Sequence, residues 1–468
     1  MRLAHLPILP RWLWSLEQLQ LILAMIVTLS LYGDAFPYRT PIVFPLTVLG
    51  FCWVGLVQRR LTVPANAGFA FTVACVVFYL IGILESSYLY NLNVRELRNV
   101  ASLLLLSSIL ASIRHGREFQ KFCKYTQVMG AFAGITLAII GLYKYNLMAQ
   151  GRELKFLWFA GRQYPWGTSL IVDYNFYAFA MLAGAISCLF CLYRSSSFGV
   201  KALSLLGILL TVASMSFSGS RRGWVTEALF LIILIGLTLR WIGLNLWRSL
   251  RTALNAKVNL QSIALLFTVA VVAVAALQRL HPAFLDSNRT EFQVQSKSLE
   301  GRLDGLTSPA ASFEGRSDRW VFASRLLENA SPMQLLFGQG FTYLHIYAVE
   351  FPGDTPEDYP HNPIISAALF SGVIGGLLVC AFLTAAAMRY FKARKSDIYF
   401  ASLYLASLFF VLPSYNSIFA GKLFGLLLLI PWSVPVSEDR PSHAKSPINS
   451  PEFVYPRFPG TAAAKYSR

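Results

Sequence analysis

Apolar residues arrive along this chain in long runs, each about the length of a bilayer crossing, separated by short polar stretches. A helix crosses the hydrocarbon core with roughly 17–25 apolar residues. Windows of that length predict helices near residues 16–33, 41–57, 67–84, 97–113, 125–146 and 169–193. Six more fall near residues 199–216, 222–243, 259–280, 362–388, 397–413 and 417–434. The expected fold class is an all-α polytopic membrane protein with about twelve transmembrane helices. The first run, Leu16 to Leu31, leads into Asp34 rather than a small-residue cleavage site, so a removable signal peptide is not expected.

The polar residues between the runs sort by sign. Alternate connections carry Arg59 and Arg60; Arg114, Arg117, Lys121 and Lys124; Arg194 and Lys201; Arg248, Arg251 and Lys257; and Arg389, Lys392, Arg394 and Lys395. Cytoplasmic loops are enriched in Lys and Arg, so these connections are assigned to the inside, and both termini share their parity. The connections of opposite parity are short except at residues 147–168 and 281–361. In the latter, acidic residues outnumber Lys and Arg, and a connection of that length is expected to fold or to work. The organisation expected is a membrane domain of nine spans over 1–280, an extracytoplasmic loop domain over 281–361, and three spans over 362–434. The basic, Pro- and Ser-rich tail over 435–468 reads as disordered and cytoplasmic.

Composition agrees with this reading. The 468 residues are 55% hydrophobic and only 13% charged, with a mean hydropathy of +0.53, whereas a soluble domain carries about 25% charged residues. The net charge of +17 would suggest nucleic acid in a soluble chain. Here it follows topology, and anionic lipid headgroups are its partner. Cys52, Cys75, Cys123, Cys188, Cys191 and Cys380 all lie in or beside apolar runs. None falls in the large loop, where an oxidising compartment would permit a bridge, so packing is their expected role, including the Cys188–Cys191 CxxC pair.

Three polar clusters stand out with outward parity. SFSGSRRGW, from Ser216 to Trp224, puts Arg221 and Arg222 in an outward connection, against the basic-inside rule. Ser220 is a candidate N-cap, and a helix N-terminus flanked by arginines suits an anion such as a membrane-surface diphosphate. The competing role is snorkelling to lipid phosphates. FEGRSDRWVFASRLLENASPMQLLFGQGF, from Phe313, predicts an amphipathic helix ended by Ser331-Pro332. Arg316 and Trp320, four apart, share a face of it, with Arg319 beside them. The FGQGF stretch predicts a turn with close backbone approach.

The third cluster is YPHNPIISAALFSGVIGG, from Tyr359. Asn362 suits an N-cap and Pro363 the first helical position, leaving His361 just outside the helix end as a candidate general base. Gly372 and Gly376 form GxxxG, predicting close approach of another helix. Asp354, Glu357 and Asp358 read as a solvated loop with no metal-ligand spacing, and His345 reads as packed. Upstream, Asp173 and Asn175 in VDYNFYAFA mark polar groups at a helix mouth.

In this order, VDYNFYAFA, SGSRRGW, GRSDRW after a long external loop, GQGF and HNPIISAALFSGVIGG resemble the O-antigen ligase and polymerase superfamily of bacterial envelope glycosyltransferases. The resemblance centres on residues 170–380, and the many-span, large-loop layout extends it. It implies an inner-membrane enzyme, without metal or other cofactor, that takes a glycan from undecaprenyl diphosphate at the periplasmic face. A ligase passes that glycan to a sugar hydroxyl of lipid A core, and a polymerase to another carrier-linked unit. By motif, Arg221 and Arg316 match arginines that hold diphosphate, and His361 matches the histidine that activates the acceptor hydroxyl. Arg222 and Arg319 stand beside them, so the choice within each pair stays open. Asp173, Asn175, Asn362 and Trp320 take supporting roles, although Asp-Tyr-Asn departs from the common Asp-Pro-Asn form.

Other readings remain beside the ligase. A polymerase or a protein-glycosylating transferase would use the same motifs with another acceptor. A polysaccharide transporter or flippase would show repeated halves and a polar site at the bilayer midplane.

Overall fold

The computed structural model describes residues 16–32, 35, 43–57, 66–85, 91–113, 116–150, 167–171, 173–220, 222–236, 310–351, 358–392, 398–413 and 422–433. All lie in one compact unit, Met1–Pro435. Among them there is no strand. The helices are α1 (Leu16–Tyr32), α2 (Val43–Cys52, continued by a π-helical turn at Trp53–Val57), α3 (Ala67–Glu85), α4 (Asn91–Ala111) and α5 (Gly116–Ala149). Next come α6 (Tyr174–Arg194), α7 (Phe198–Ser216) and α8 (222–236). The series ends with α9 (Ala310–Glu328), α10 (Pro332–Phe337), α11 (Thr342–Glu350), α12 (Pro363–Lys392), α13 (Ile398–Val411) and α14 (Lys422–Ser433).

Every predicted apolar run that falls on described residues is helical over most of its length. The run at 259–280 and the tail at 435–468 lie outside the described residues. Among the described helices, four are long and apolar enough to cross a membrane: Arg117–Leu147 within α5, then α6, α7 and α12. The described residues are therefore all-α, with helices like those of a membrane protein. Some boundaries differ from expectation. α4 and α5 start earlier, at Asn91 and Gly116, because polar first turns add helix without adding hydropathy. α6 starts at Tyr174 rather than 169, because Asp173 caps it there.

α6 is the centre of the packing. It lies against α5, α7 and α13, and every residue from Tyr177 to Cys188 is buried. Its sequence explains this: Ala178, Ala180, Ala183, Gly184 and Ala185 leave little side chain, so neighbouring helices come close. At the crossing with α5, a Cβ added to Gly134 or to Gly184 would strike the other's Cα. Around this centre Phe122 stacks on Phe400 at 5.3 Å, and Tyr399 donates or accepts at Ser187 Oγ over 3.0 Å.

α12 is broken. Ser371 leaves helical geometry, and Gly372 has φ 73°, in the left-handed region where glycine costs least. The predicted close approach of another helix is found at Gly372 and not at Gly376. Gly372 is a kink residue approached by Leu336 and Phe337 of α10, and Gly376 faces Ala368 of its own helix across the bend. The break frees the carbonyls of Leu369 and Phe370. Gln339 N–H donates to the first over 2.9 Å and Gly340 N–H to the second over 3.0 Å. The FGQGF turn thus closes the helix backbone that the kink opens, which is the close approach its glycines predict.

A Cβ at Gly338, where φ is 91°, would collide with the Phe370 carbonyl. Gly338→Ala is expected to lower stability by at least about 1–3 kcal/mol, the usual cost of a strained backbone conformation. Gly199→Ala, at an open position, is expected to change nothing. Thermal unfolding of the purified protein in detergent checks both; equal midpoints would refute the role given to the turn.

Candidate functional site

The predicted site residues fall into two groups. In the first, three helix ends meet. The Asp173 carboxylate accepts from Asn175 N–H at 3.0 Å, capping α6. Asn175 Oδ1 accepts from Ser220 Oγ at 2.8 Å, and Ser220 Oγ accepts from Gly223 N–H at 3.0 Å, capping α8 as its sequence predicts. Arg222 turns into the protein: its guanidinium donates to the carbonyls of Phe410 at 3.2 Å and Pro413 at 2.9 Å, at the C-terminal end of α13. A cation there complements the negative end of the helix dipole. Burial pushes the Asp173 carboxyl above its ordinary value, opposed by its backbone N–H partners and by nearby Arg222.

Several residues that sequence reasoning passed over belong to this region. Lys144 of α5 is buried and its ammonium donates to the Ser169 carbonyl. Tyr177 OH bonds Ser214 Oγ at 2.7 Å and donates to Leu137 O at 3.1 Å. Ser216 donates to Glu227, and Trp224 Nε1 donates to Ser216 O at 2.6 Å. Lys144 and Glu227 were detectable as lone charges inside apolar runs, which by themselves signal a polar partner in the bundle.

The second group surrounds the mouth of α12. Asn362 Oδ1 accepts from Ile364 N–H at 2.9 Å and Ile365 N–H at 3.3 Å, so it is the N-cap, with Pro363 first in the helix. His361 stands just before it with φ 55°, the one non-glycine residue with positive φ among the described residues. Trp320 Nε1 donates to the Pro360 carbonyl at 2.9 Å, and the Tyr359 and His361 rings lie 4.4 Å apart. Arg319 donates to Asp358 Oδ2 from Nε at 3.1 Å and from Nη2 at 2.6 Å. Asp358 Oδ1 faces His361 Nε2 at 3.7 Å. The expectation of a solvated acidic loop is therefore corrected for Asp358, which is 16% exposed because Arg319 draws it in. Arg319 also lies over the Phe351 ring at 4.7 Å, and its backbone carbonyl accepts from Tyr347 OH at 2.7 Å. Asp354 and Glu357 lie outside the described residues. His345, expected to be packed, is exposed, because its position on α11 faces away from the buried Tyr343, Leu344 and Tyr347.

Arg221 lies outside the described residues, as does the side chain of Arg316; the backbone of Arg316 is helical, one turn before Trp320 on α9. α12 and α13 are consecutive and pack side by side, with Tyr404 OH donating to the Leu383 carbonyl at 2.8 Å, so the C-terminal end of α13 points toward the side on which α12 begins, although its 14 residues stop well short of the mouth of the 30-residue α12. The Arg222 contact with the end of α13, and the Asn175–Ser220 bond, place the starts of α6 and α8 beside the end of α13. Both polar groups thus lie toward one side of the bundle, at different depths along it. No protein-family model, curated protein or solved structure matches the chain.

Because Arg222 satisfies two carbonyls at a helix end, Arg222→Ala is expected to cost about 1.5–3 kcal/mol, the range for hydrogen bonds from a charged donor. The unfolding midpoint in detergent measures this, and an unchanged midpoint would show that those bonds do not hold α13.

Proposed function

We propose that this chain is a membrane glycosyltransferase of the O-antigen ligase type. It moves a glycan from undecaprenyl diphosphate to a sugar hydroxyl of lipid A core at the periplasmic face of a bacterial inner membrane. In this reading the chain has twelve spans with both termini cytoplasmic, and residues 281–361 form a periplasmic loop. The observation that carries the reading is the mouth of α12. There an imidazole is held in an unusual backbone conformation beside a carboxylate that an arginine anchors, on the side of the bundle toward which the other polar motifs also lie.

His361 is the general base. It takes the proton of the acceptor hydroxyl as that oxygen attacks the sugar carbon, the bond to the diphosphate breaks, and the diphosphate leaves with the electron pair. Asp358 is a positioning residue: its carboxylate faces the ring and stabilises the imidazolium that forms. Negative charge on the departing diphosphate needs guanidinium groups where water is scarce. Arg222 and Arg319 are occupied by carbonyls and by Asp358, so the diphosphate contact is assigned to Arg221 and Arg316. Trp320 and Asn362 hold the backbone on either side of His361; Asp173 caps α6, and Asn175 braces the start of α8 through Ser220.

His361→Ala is expected to slow transfer by about 10²–10⁴-fold, the usual contribution of a general base, with the protein still folded. Asp358→Asn is expected to give a smaller loss in kcat with little change in KM. Purified protein is incubated with carrier-linked glycan and either lipid A core or further carrier-linked glycan. Product on lipid A core supports the ligase, while chain growth on the carrier would replace it with a polymerase. Full activity in His361→Ala would remove the catalytic assignment.

A further inference from the structure

α10 is an odd element for a helix outside the membrane. Its sequence is PMQLLF, and none of its residues is buried. Met333 is 58% exposed and Leu336 44%, and Leu335 beside them is exposed as well. A soluble surface rarely presents so dense an apolar patch without a partner.

Its position along α12 identifies that partner. The Leu336 carbonyl lies against Gly372, nine residues into α12, which is about 14 Å below the helix mouth at 1.5 Å per residue. α12 carries basic Arg389 and Lys392 in its last turn. Counting back the roughly 20 residues that span the hydrocarbon core from Arg389 reaches Leu369 and Phe370, the point where the turn after α10 is bonded. α10 therefore lies at the edge of the hydrocarbon layer, not above it.

The flanking helices continue the same surface. On α12, Val373 and Leu377 are exposed; on α3, which also touches α10, Val73, Val77, Leu80 and Leu84 are exposed at helical spacing. These residues belong to a face that the bilayer covers. Several backbone groups at the ends of α10 are also satisfied locally, which lowers the cost of an apolar setting. Pro332 has no N–H to satisfy, Ser331 and Gln334 form a reciprocal capping box, and Gly338 N–H returns to Gln334 O at 2.8 Å. Gln339 and Gly340 N–H go to the α12 carbonyls.

We infer that α10 is an interfacial membrane anchor: Met333, Leu335 and Leu336 insert among lipid chains at the boundary of the leaflet where α12 begins. The segment α9–α11 is then held from two sides, by the bonded kink of α12 and by lipid beneath α10. The occupant of this apolar face is the acyl region of the bilayer rather than a second protein chain.

Site-specific photo-crosslinking tests this. A benzophenone amino acid replaces Met333 in the full chain, reconstituted in phosphatidylethanolamine–phosphatidylglycerol vesicles. Leu377 on α12 serves as the lipid-facing reference and exposed Asp318 on α9 as the aqueous one. After illumination, intact mass is expected to show phospholipid adducts at position 333 at a yield like that at 377 and several-fold above that at 318. A yield at 333 no greater than at 318, or adducts to a second protein chain instead of lipid, would overturn the inference. The same label at Leu335 keeps the test decisive if the Met333 replacement fails to fold. The readout does not depend on glycan transfer, so its failure leaves the enzymatic reading to its own test.

Discussion

A helix backbone broken in an apolar setting must find new partners for the carbonyls it releases, and the kink of α12 is where this protein meets that demand. Ser371 and Gly372 interrupt the i to i+4 ladder, and the exposed oxygens of Leu369 and Phe370 would each carry a desolvation cost of several kcal/mol if left bare in hydrocarbon. The amides of Gln339 and Gly340 take both oxygens. A local defect in one membrane helix thereby becomes the attachment of a segment far away in sequence. Glycine is required on each side of the joint, at 338 and 372, because backbone meets backbone with no room for Cβ. Gly82 of α3 closes the third side against the same Phe370 carbonyl.

That attachment sets the geometry of the helix mouth. α9 is carried by the same segment, so Trp320 reaches the Pro360 carbonyl and Arg319 reaches Asp358 because the GQG turn is docked below them. Phe341 against Phe370, with centroids 4.6 Å apart, fills the space between the turn and α12. The other end-cluster is organised by helix termini serving one another. Asp173 caps α6, Ser220 caps α8 while donating to Asn175, and Arg222 closes α13. Each bond satisfies a backbone or side-chain group that burial would otherwise leave unpaired, so this polar region is a scaffold before it is a site.

Much of this was legible because hydropathy and capping are local. The apolar runs announced the helices, Asn362-Pro363 and Ser220 announced two N-caps, and Ser331-Pro332 announced a boundary that proved to be both the stop of α9 and the start of α10. What the sequence hid was partnership at a distance. Gly372 and Gly376 have the spacing of a helix–helix contact, yet the carbonyls released at Ser371 are what define the region, and no spacing rule encodes that. Asp358 read as a solvated acid because its partner, Arg319, is 39 positions away. Arg222 looked available for an anion because the carbonyls that engage it belong to α13, nearly 200 positions later. Lone charges such as Lys144 could have been flagged from sequence, but not their partners.

The backbone of His361 is the feature hardest to explain by packing alone. Pro360 fixes its own φ, Pro363 keeps Asn362 out of helical geometry, and the chain must still enter α12 with Asn362 capping it. The residue between them absorbs the turn with φ 55°, a region that histidine enters more readily than most residues but that glycine would occupy at less cost. The strain, of order 1–3 kcal/mol, is held in place by the Trp320–Pro360 bond on one side and the Asn362 cap on the other. An imidazole held there at this cost, facing a carboxylate whose other oxygen an arginine has already claimed, is an arrangement suited to managing a proton.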